Sequence, residues 1–214
     1  MPVPFVWPTV YAILDADGCR QRRLAARDVL EAWLGAGISL LQVRGKALST
    51  RELVDLSALA VTLSRGRARI IINDRADVAK VVRADGVHVG QDDLPPEAAR
   101  ALLGPDAIIG LSTHSRAQAQ AALTSPISYL AIGPVFQTGS KVSDYKALGT
   151  GVVADVCALA RPHALPVVAI GGITAETAAS VRACGVTAVC AIGGALMGDG
   201  NPGTAAAGLL DASR

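Results

Sequence analysis

The stretch LLQVRGKALSTRELVDLSALAVTLSRGRARIIIND, residues 40–74, decides the fold. It opens on a largely apolar run, Leu40–Arg44, passes through an amphipathic segment, Thr50–Ser64, and closes on a second apolar run, Arg69–Ile72. Continuous apolar runs, rather than strict alternation, suit parallel strands covered on both faces. Ser49, Thr50 and Glu52 open the intervening segment as a helix cap would. The unit therefore reads strand–helix–strand.

Working outward, the same unit recurs along the chain. Further apolar runs fall at Val10–Leu14, Gly86–Val89, Ile108–Leu111, Tyr129–Ile132, Val167–Ile170 and Ala188–Ile192. Helical patterns lie between them at Ala25–Leu34, Ala76–Val82, Pro96–Leu103, Ser115–Leu123, Val152–Ala160, Ala175–Ala183 and Thr204–Leu210. Pro95–Pro96 opens one of them as a first-turn proline, and Gly35, Gly37, Gly104 and Gly185 mark helix ends. Eight strand–helix units in 214 residues predict an α/β fold, a single (β/α)8 TIM barrel over residues 1–214. An open doubly wound sheet is the competing architecture. Its Gly-rich loop after the first strand is missing: Asp15-Ala16-Asp17-Gly18 stands there instead.

Composition narrows the function. The net charge is +2 and aromatics make up 3% of the chain. That argues against nucleic-acid binding, which draws on a basic stripe and stacking platforms. The uncharged window from Ala117 to Ser140 is broken by Gln118, Gln120, Pro126, Gly133 and Pro134, so it reads as helix, turn and strand, with no membrane span. Cys19, Cys157, Cys184 and Cys190 match no zinc spacing and read as reduced thiols of a cytoplasmic protein.

In a barrel of this kind the reactive groups sit just after the strands, and the polar clusters fall there. Gln42, Arg44 and Lys46 alternate onto one face at the end of the second strand, where an anionic ligand would account for the cations. Asn73-Asp74-Arg75 and Gly90-Gln91-Asp92-Asp93 end the third and fourth. Their carboxylates, beside cations, suggest magnesium (Mg2+) held together with a phosphate, although Asp74 could cap a turn and Asp92 or Asp93 could cap the next helix. Ser112-Thr113-His114 ends the fifth. Thr138-Gly139-Ser140-Lys141 follows the sixth and suits phosphate oxygens. Paired glycines, Gly171-Gly172 and Gly193-Gly194, follow the seventh and eighth, the recurrent phosphate site of the barrel. His88 reads as a satisfied core residue and His163 as loop surface.

The segments Gln42–Lys46, Ile72–Asp77, Gly86–Leu94, Ser112–His114, Gly133–Phe136 and Ala169–Ile173, in that order, resemble the thiamine phosphate synthase family. The resemblance implies a transferase of thiamine biosynthesis. In it the ring nitrogen of a thiazole monophosphate displaces pyrophosphate from 4-amino-2-methyl-5-(diphosphooxymethyl)pyrimidine. It implies that Gln42, Arg44, Lys46 and Asn73 hold the pyrimidine pyrophosphate, with Val43 and Gly45 inside the same binding segment. Asp74 and Asp93 would hold magnesium, and Ser112 would touch the pyrimidine. Arg44, Lys46 and Lys141 would act on the leaving pyrophosphate. Thr138, Gly139, Ser140, Gly171, Gly172, Ile192 and Gly193 would surround the thiazole phosphate. The chain departs from the family in having Thr138-Gly139-Ser140 where two threonines often precede the lysine, and Gly193 where a serine is frequent. No protein nucleophile is needed, because cations stabilise the charge that develops on the departing pyrophosphate.

Two other functions fit the same fold. A related thiazole tautomerase would use His114 as acid and base. A non-catalytic sensor of phosphorylated ligands would show no turnover. The expected partners are small phosphorylated substrates, with no nucleic acid or membrane, and an oligomer is compatible with the sequence.

Overall fold

The computed structural model describes residues 6–137, 145–193, 196 and 201–214. Eight parallel strands close into a barrel in sequence order: β1 (Val10–Asp15), β2 (Leu40–Arg44), β3 (Arg69–Asn73), β4 (Gly86–Val89), β5 (Ile108–Thr113), β6 (Tyr129–Ile132), β7 (Val167–Ile170) and β8 (Ala188–Ile192). The seam is a regular parallel pair, with Val10 opposite Val189 and Ala12 opposite Ala191. The expected (β/α)8 TIM barrel is the observed fold.

Nine α-helices accompany the strands: α1 (Ala16–Gln21), α2 (Ala26–Ala36), α3 (Thr50–Ser64), α4 (Ala76–Val82), α5 (Pro96–Leu103), α6 (Arg116–Ala122), α7 (Gly149–Ala160), α8 (Ala175–Arg182) and α9 (Pro202–Ala212), counted among the described residues. Strand alternation divides the core into two layers. Val10, Ala12 and Leu14 face the helices, whereas Tyr11 and Ile13 face the barrel axis with Leu40, Ile71, Tyr129, Val168 and Cys190. The strands are thus buried on both faces, which is why their sequences are largely apolar.

Local chemistry sets the helix ends. Ser49 and Glu52 form a reciprocal capping box at α3. Gly37 closes α2 in the left-handed conformation, while Gly35 lies inside that helix and not at its end. Helix α1 was not foreseen: Asp15 caps it through the Gly18 amide, and Cys19 anchors it in the core. His163 lies in a short 3-10 turn, Arg161–His163, and is exposed. Among the described residues no helix is long and apolar enough to cross a membrane.

Candidate active site

The carboxyl ends of the strands surround one cavity. Gln42, Arg44, Asn73, Ser112, Gly171 and Ile192 all line it, together with Tyr11, Ile13, His88, His114 and Cys190. Six of the residues assigned to the substrates from sequence, and His114, are therefore brought to one place, whereas Lys46, Asp74, Asp93, Gly172 and Gly193 are not part of its lining. Val43 is not: it is fully buried on the opposite face of β2, against the helices, so only its backbone follows the cavity wall. Gly45 forms the half-buried turn between β2 and Lys46. Thr138, Gly139, Ser140, Lys141 and Gly194 lie outside the described residues.

The cationic rim is held by two aspartates, Asp15 at the end of β1 and Asp17 in the first turn of α1. Arg44 Nη1 meets Asp15 Oδ1 at 2.7 Å, with side-chain exposures of 13% and 9%. Arg44 is thus a pre-oriented donor fork whose charge is already matched. Asp17 accepts the backbone amides of Lys46 (2.9 Å) and Ala47 (3.2 Å), fixing the turn that carries Lys46. The Lys46 side chain, half exposed, reaches across to pair with Asp74. Sequence reasoning passed over Asp15 and Asp17, although their place after a strand was the available signal.

Asp74 stands at the end of β3 with φ +62°, a left-handed conformation uncommon outside glycine. Its amide donates to the His88 carbonyl at 2.8 Å, which pins the turn to β4. It does not cap α4, whose flanking residue Arg75 makes no side-chain cap and instead pairs with Asp77. Asp93 does not cap α5 either. Its Oδ2 accepts the Gly90 amide at 2.8 Å, folding the carboxyl back toward the barrel. Burial raises the Asp93 carboxyl above the usual carboxylate range, the Gly90 amide opposes this, and the neighbouring Asp74 carboxylate raises it further. Two adjacent carboxylates that resist being charged together, with a lysine on one of them, form an all-oxygen pair suited to a hard divalent cation. Among the described residues no cluster of three or more acidic, histidine or cysteine ligands exists.

The cavity floor is polar where an apolar core would be expected. Gln42 Nε2 donates to Tyr11 OH (2.9 Å), Tyr11 and Tyr129 hydroxyls meet at 3.0 Å, Tyr129 OH meets His88 Nδ1 at 2.7 Å, and His88 Nε2 meets Ser112 Oγ at 2.8 Å. Burial pushes both phenols well above their ordinary range, so they remain protonated. Gly110 makes the room: a Cβ there would lie 2.1 Å from the Tyr129 ring and 2.5 Å from His88 Nδ1. The tyrosines were hidden in sequence because a tyrosine within an apolar strand looks like core. Only its inward register separates the two cases.

The far wall is backbone. Gly133–Pro134 is a cis peptide bond. Val135 and Phe136 amides donate to the Ile170 and Gly171 carbonyls, both at 2.9 Å. A Cβ on Gly171 would come within 2.5 Å of Pro134, and one on Gly172 within 2.7 Å of the Gln137 carbonyl. Both residues have positive φ, as does Gly193 (+66°). The paired glycines thus let the β6 and β7 turns close on each other. His114 is fixed by its Nδ1 on the Gly133 carbonyl (2.7 Å), by its amide on Gln118 (2.7 Å) and by stacking on Tyr145 at 3.7 Å between ring centroids.

Comparison with known proteins identifies the family. A thiamine-phosphate synthase of Roseiflexus sp. (strain RS-1) is 37% identical over 98% of this chain and 86% of its own length. One of Azorhizobium caulinodans is 39% identical over 90% of this chain and 88% of its own. The structure of a thiamine phosphate pyrophosphorylase from Pyrococcus furiosus superposes with a TM-score of 0.84 at 29% identity, covering 97% of this chain and 96% of that one. The thiamine monophosphate synthase family profile matches residues 10–195, every strand of the barrel included. With the fold, the family profile and the relatives in agreement, the chain is an enzyme, a transferase, and belongs to the thiamine monophosphate synthase family.

Proposed function

We propose that the enzyme joins 4-amino-2-methyl-5-(diphosphooxymethyl)pyrimidine to a thiazole monophosphate, releasing thiamine phosphate and pyrophosphate. The observation that carries this is the juxtaposition, at one mouth, of a cationic pair (Arg44, Lys46), a carboxylate pair (Asp74, Asp93) and a cavity presenting an amide and a hydroxyl (Gln42, Ser112). The bond between the pyrimidine methylene carbon and the pyrophosphate oxygen breaks, and its electron pair leaves with pyrophosphate. The thiazole ring nitrogen supplies the pair for the new carbon–nitrogen bond, so no proton moves. Arg44 and Lys46 face the oxygens on which charge grows, and Lys141 serves the same group. Gln42, Asn73 and Ser112 orient the pyrimidine. The Gly171-Gly172 and Ile192-Gly193 turns, with Thr138, Gly139 and Ser140, receive the thiazole phosphate. Magnesium, held by Asp74 and Asp93, would neutralise the pyrophosphate. The whole barrel acts as one catalytic unit, and its unpaired thiols suit a reducing cytoplasm.

The purified chain, given both substrates and magnesium, is expected to form thiamine phosphate and pyrophosphate in equal amounts. Excess chelator should abolish turnover. Lys46→Ala should lower kcat about 10²–10³-fold, the scale seen when one charge-stabilising donor is removed. Absence of product overturns the reading, and full activity in chelator removes Asp74 and Asp93 from the role given them.

A further inference from the structure

With the Gln42 amide nitrogen placed on the Tyr11 hydroxyl, proton counting gives the line of hydrogen bonds across the cavity floor one direction. Five side chains from five strands take part: Gln42 on β2, Tyr11 on β1, Tyr129 on β6, His88 on β4 and Ser112 on β5. Tyr11 and Tyr129 are wholly enclosed, so their hydroxyl protons must be used within the line. The Gln42 amide nitrogen donates to Tyr11. The Tyr11 proton then passes to the Tyr129 oxygen. In the opposite sense Gln42 and Tyr129 would both donate to Tyr11, leaving its own proton buried without an acceptor, which is unfavourable. Tyr129, having accepted from Tyr11, donates to His88 Nδ1. An imidazole whose Nδ1 accepts carries its proton on Nε2, and that proton goes to Ser112 Oγ. Ser112 has then accepted once, and its hydroxyl proton is left for the cavity it lines. At the other end, the Gln42 carbonyl oxygen is left as an acceptor.

We propose that Tyr11 and Tyr129 are positioning residues that set the hydrogen-bond polarity of the site. They hold His88 as the Nε2–H tautomer, which makes Ser112 a donor and the Gln42 carbonyl an acceptor. A ligand ring is therefore selected for carrying a ring-nitrogen acceptor beside an exocyclic amino donor. The corresponding oxo ring, with a ring N–H and a carbonyl, presents the reverse pattern and is rejected. The choice of ring rests on the function proposed above, while the tautomer does not.

Two measurements separate them. Histidine labelled with nitrogen-15 in the substrate-free enzyme should show His88 with a bare Nδ1 and a protonated Nε2, and Tyr129→Phe should abolish that single tautomer. In kinetics, Tyr129→Phe should reduce the preference for the aminopyrimidine over the oxopyrimidine pyrophosphate at least tenfold. It should do so through the pyrimidine KM, with the thiazole phosphate KM unchanged. A merely structural loss would move both. In a Ser112→Ala background the Tyr129→Phe effect on preference should disappear. Tyr11→Phe, which removes the donor that sets the direction, should relax the same ratio and serves if Tyr129→Phe does not fold. A wild-type His88 protonated on Nδ1 overturns the proposal whatever the turnover. A wild type that forms no thiamine phosphate but has the expected tautomer removes the ring selection and the function together, and leaves the polarity standing. An unchanged preference in both tyrosine variants refutes the positioning role.

Discussion

Asp15 and Asp17 sit two residues apart and support two different cations, one by a direct ion pair and one through the backbone. The Asp15–Arg44 pair is largely out of water, so removing one member leaves the other charged and unmatched. Asp15→Ala should therefore lower stability by about 3–5 kcal/mol, read as a lower urea midpoint. A loss no larger than that of an exposed pair such as Arg27–Glu31 would show that water reaches Arg44 freely. Asp17 acts at a distance from any ligand. It holds two amides of the Lys46 turn, and hydrogen bonds to a charged acceptor contribute about 1.5–3 kcal/mol each. Asp17→Ala should raise the KM for the pyrimidine pyrophosphate about tenfold or more, since each 1.4 kcal/mol is tenfold, with little change in the thiazole phosphate KM. Equal effects on both substrates would point to general loosening of the mouth.

Helix α3 shows what an element can carry beyond its core face. Ser57 is fully buried on it, and its Oγ finds no partner. Ser57→Ala should stabilise the chain by about 1 kcal/mol, a rise of about 2–4 °C in Tm at this size. A fall in Tm would mean that the hydroxyl is matched after all. At the start of the same helix, Glu52 is lowered from 4.5 to about 2 by the Ser49 hydroxyl, then the Ser49 amide, then Arg20. A depressed carboxyl stabilises above its unfolded value and loses that contribution on protonation. The advantage of wild type over Glu52→Gln should thus be full above about pH 4.5 and shrink toward pH 2, checked by thermal melts across that window. Strands β2, β4, β6, β7 and β8 begin and end with their apolar runs, because a strand covered on both faces is apolar along most of its length, with Gln42, Arg44 and His88 as the exceptions that face the cavity. Helix α1 was illegible for the opposite reason. Ala16–Gln21 is short and polar, and it is held by the Asp15 cap and by Cys19 in the core, not by its own periodicity. The mouth divides in the same way. Arg44, Lys46, Asp74 and Asp93 announce themselves as charges after strands. Tyr11, Tyr129 and His88 became a polar line only when the barrel closed and set them facing one another.

At the scale of the molecule, the four cysteines report on the integrity of the barrel. Burial pushes Cys19 and Cys157 up to about 11 and raises Cys190 further, while Cys184 is only partly covered. The thiolate is the reactive form. Iodoacetamide at pH 8 should modify Cys184 first, with the other three labelled only as the barrel unfolds, and early labelling of Cys190 would reveal an open cavity floor. The seam between β8 and β1 has a further consequence, for the order of assembly. Seven of the eight strand pairs join neighbours in the chain, but Val10 waits for Val189. A polypeptide leaving the ribosome can add each strand to the last, yet it carries two raw sheet edges until the final unit emerges. Throughout that interval Tyr11 is on one edge and Cys190 has not arrived, so the axial layer is half-built and wet. Closure is the long-range step in an otherwise local process, and it exacts its entropy at the end. The growing chain is therefore most in need of protection from its own kind just before β8 emerges.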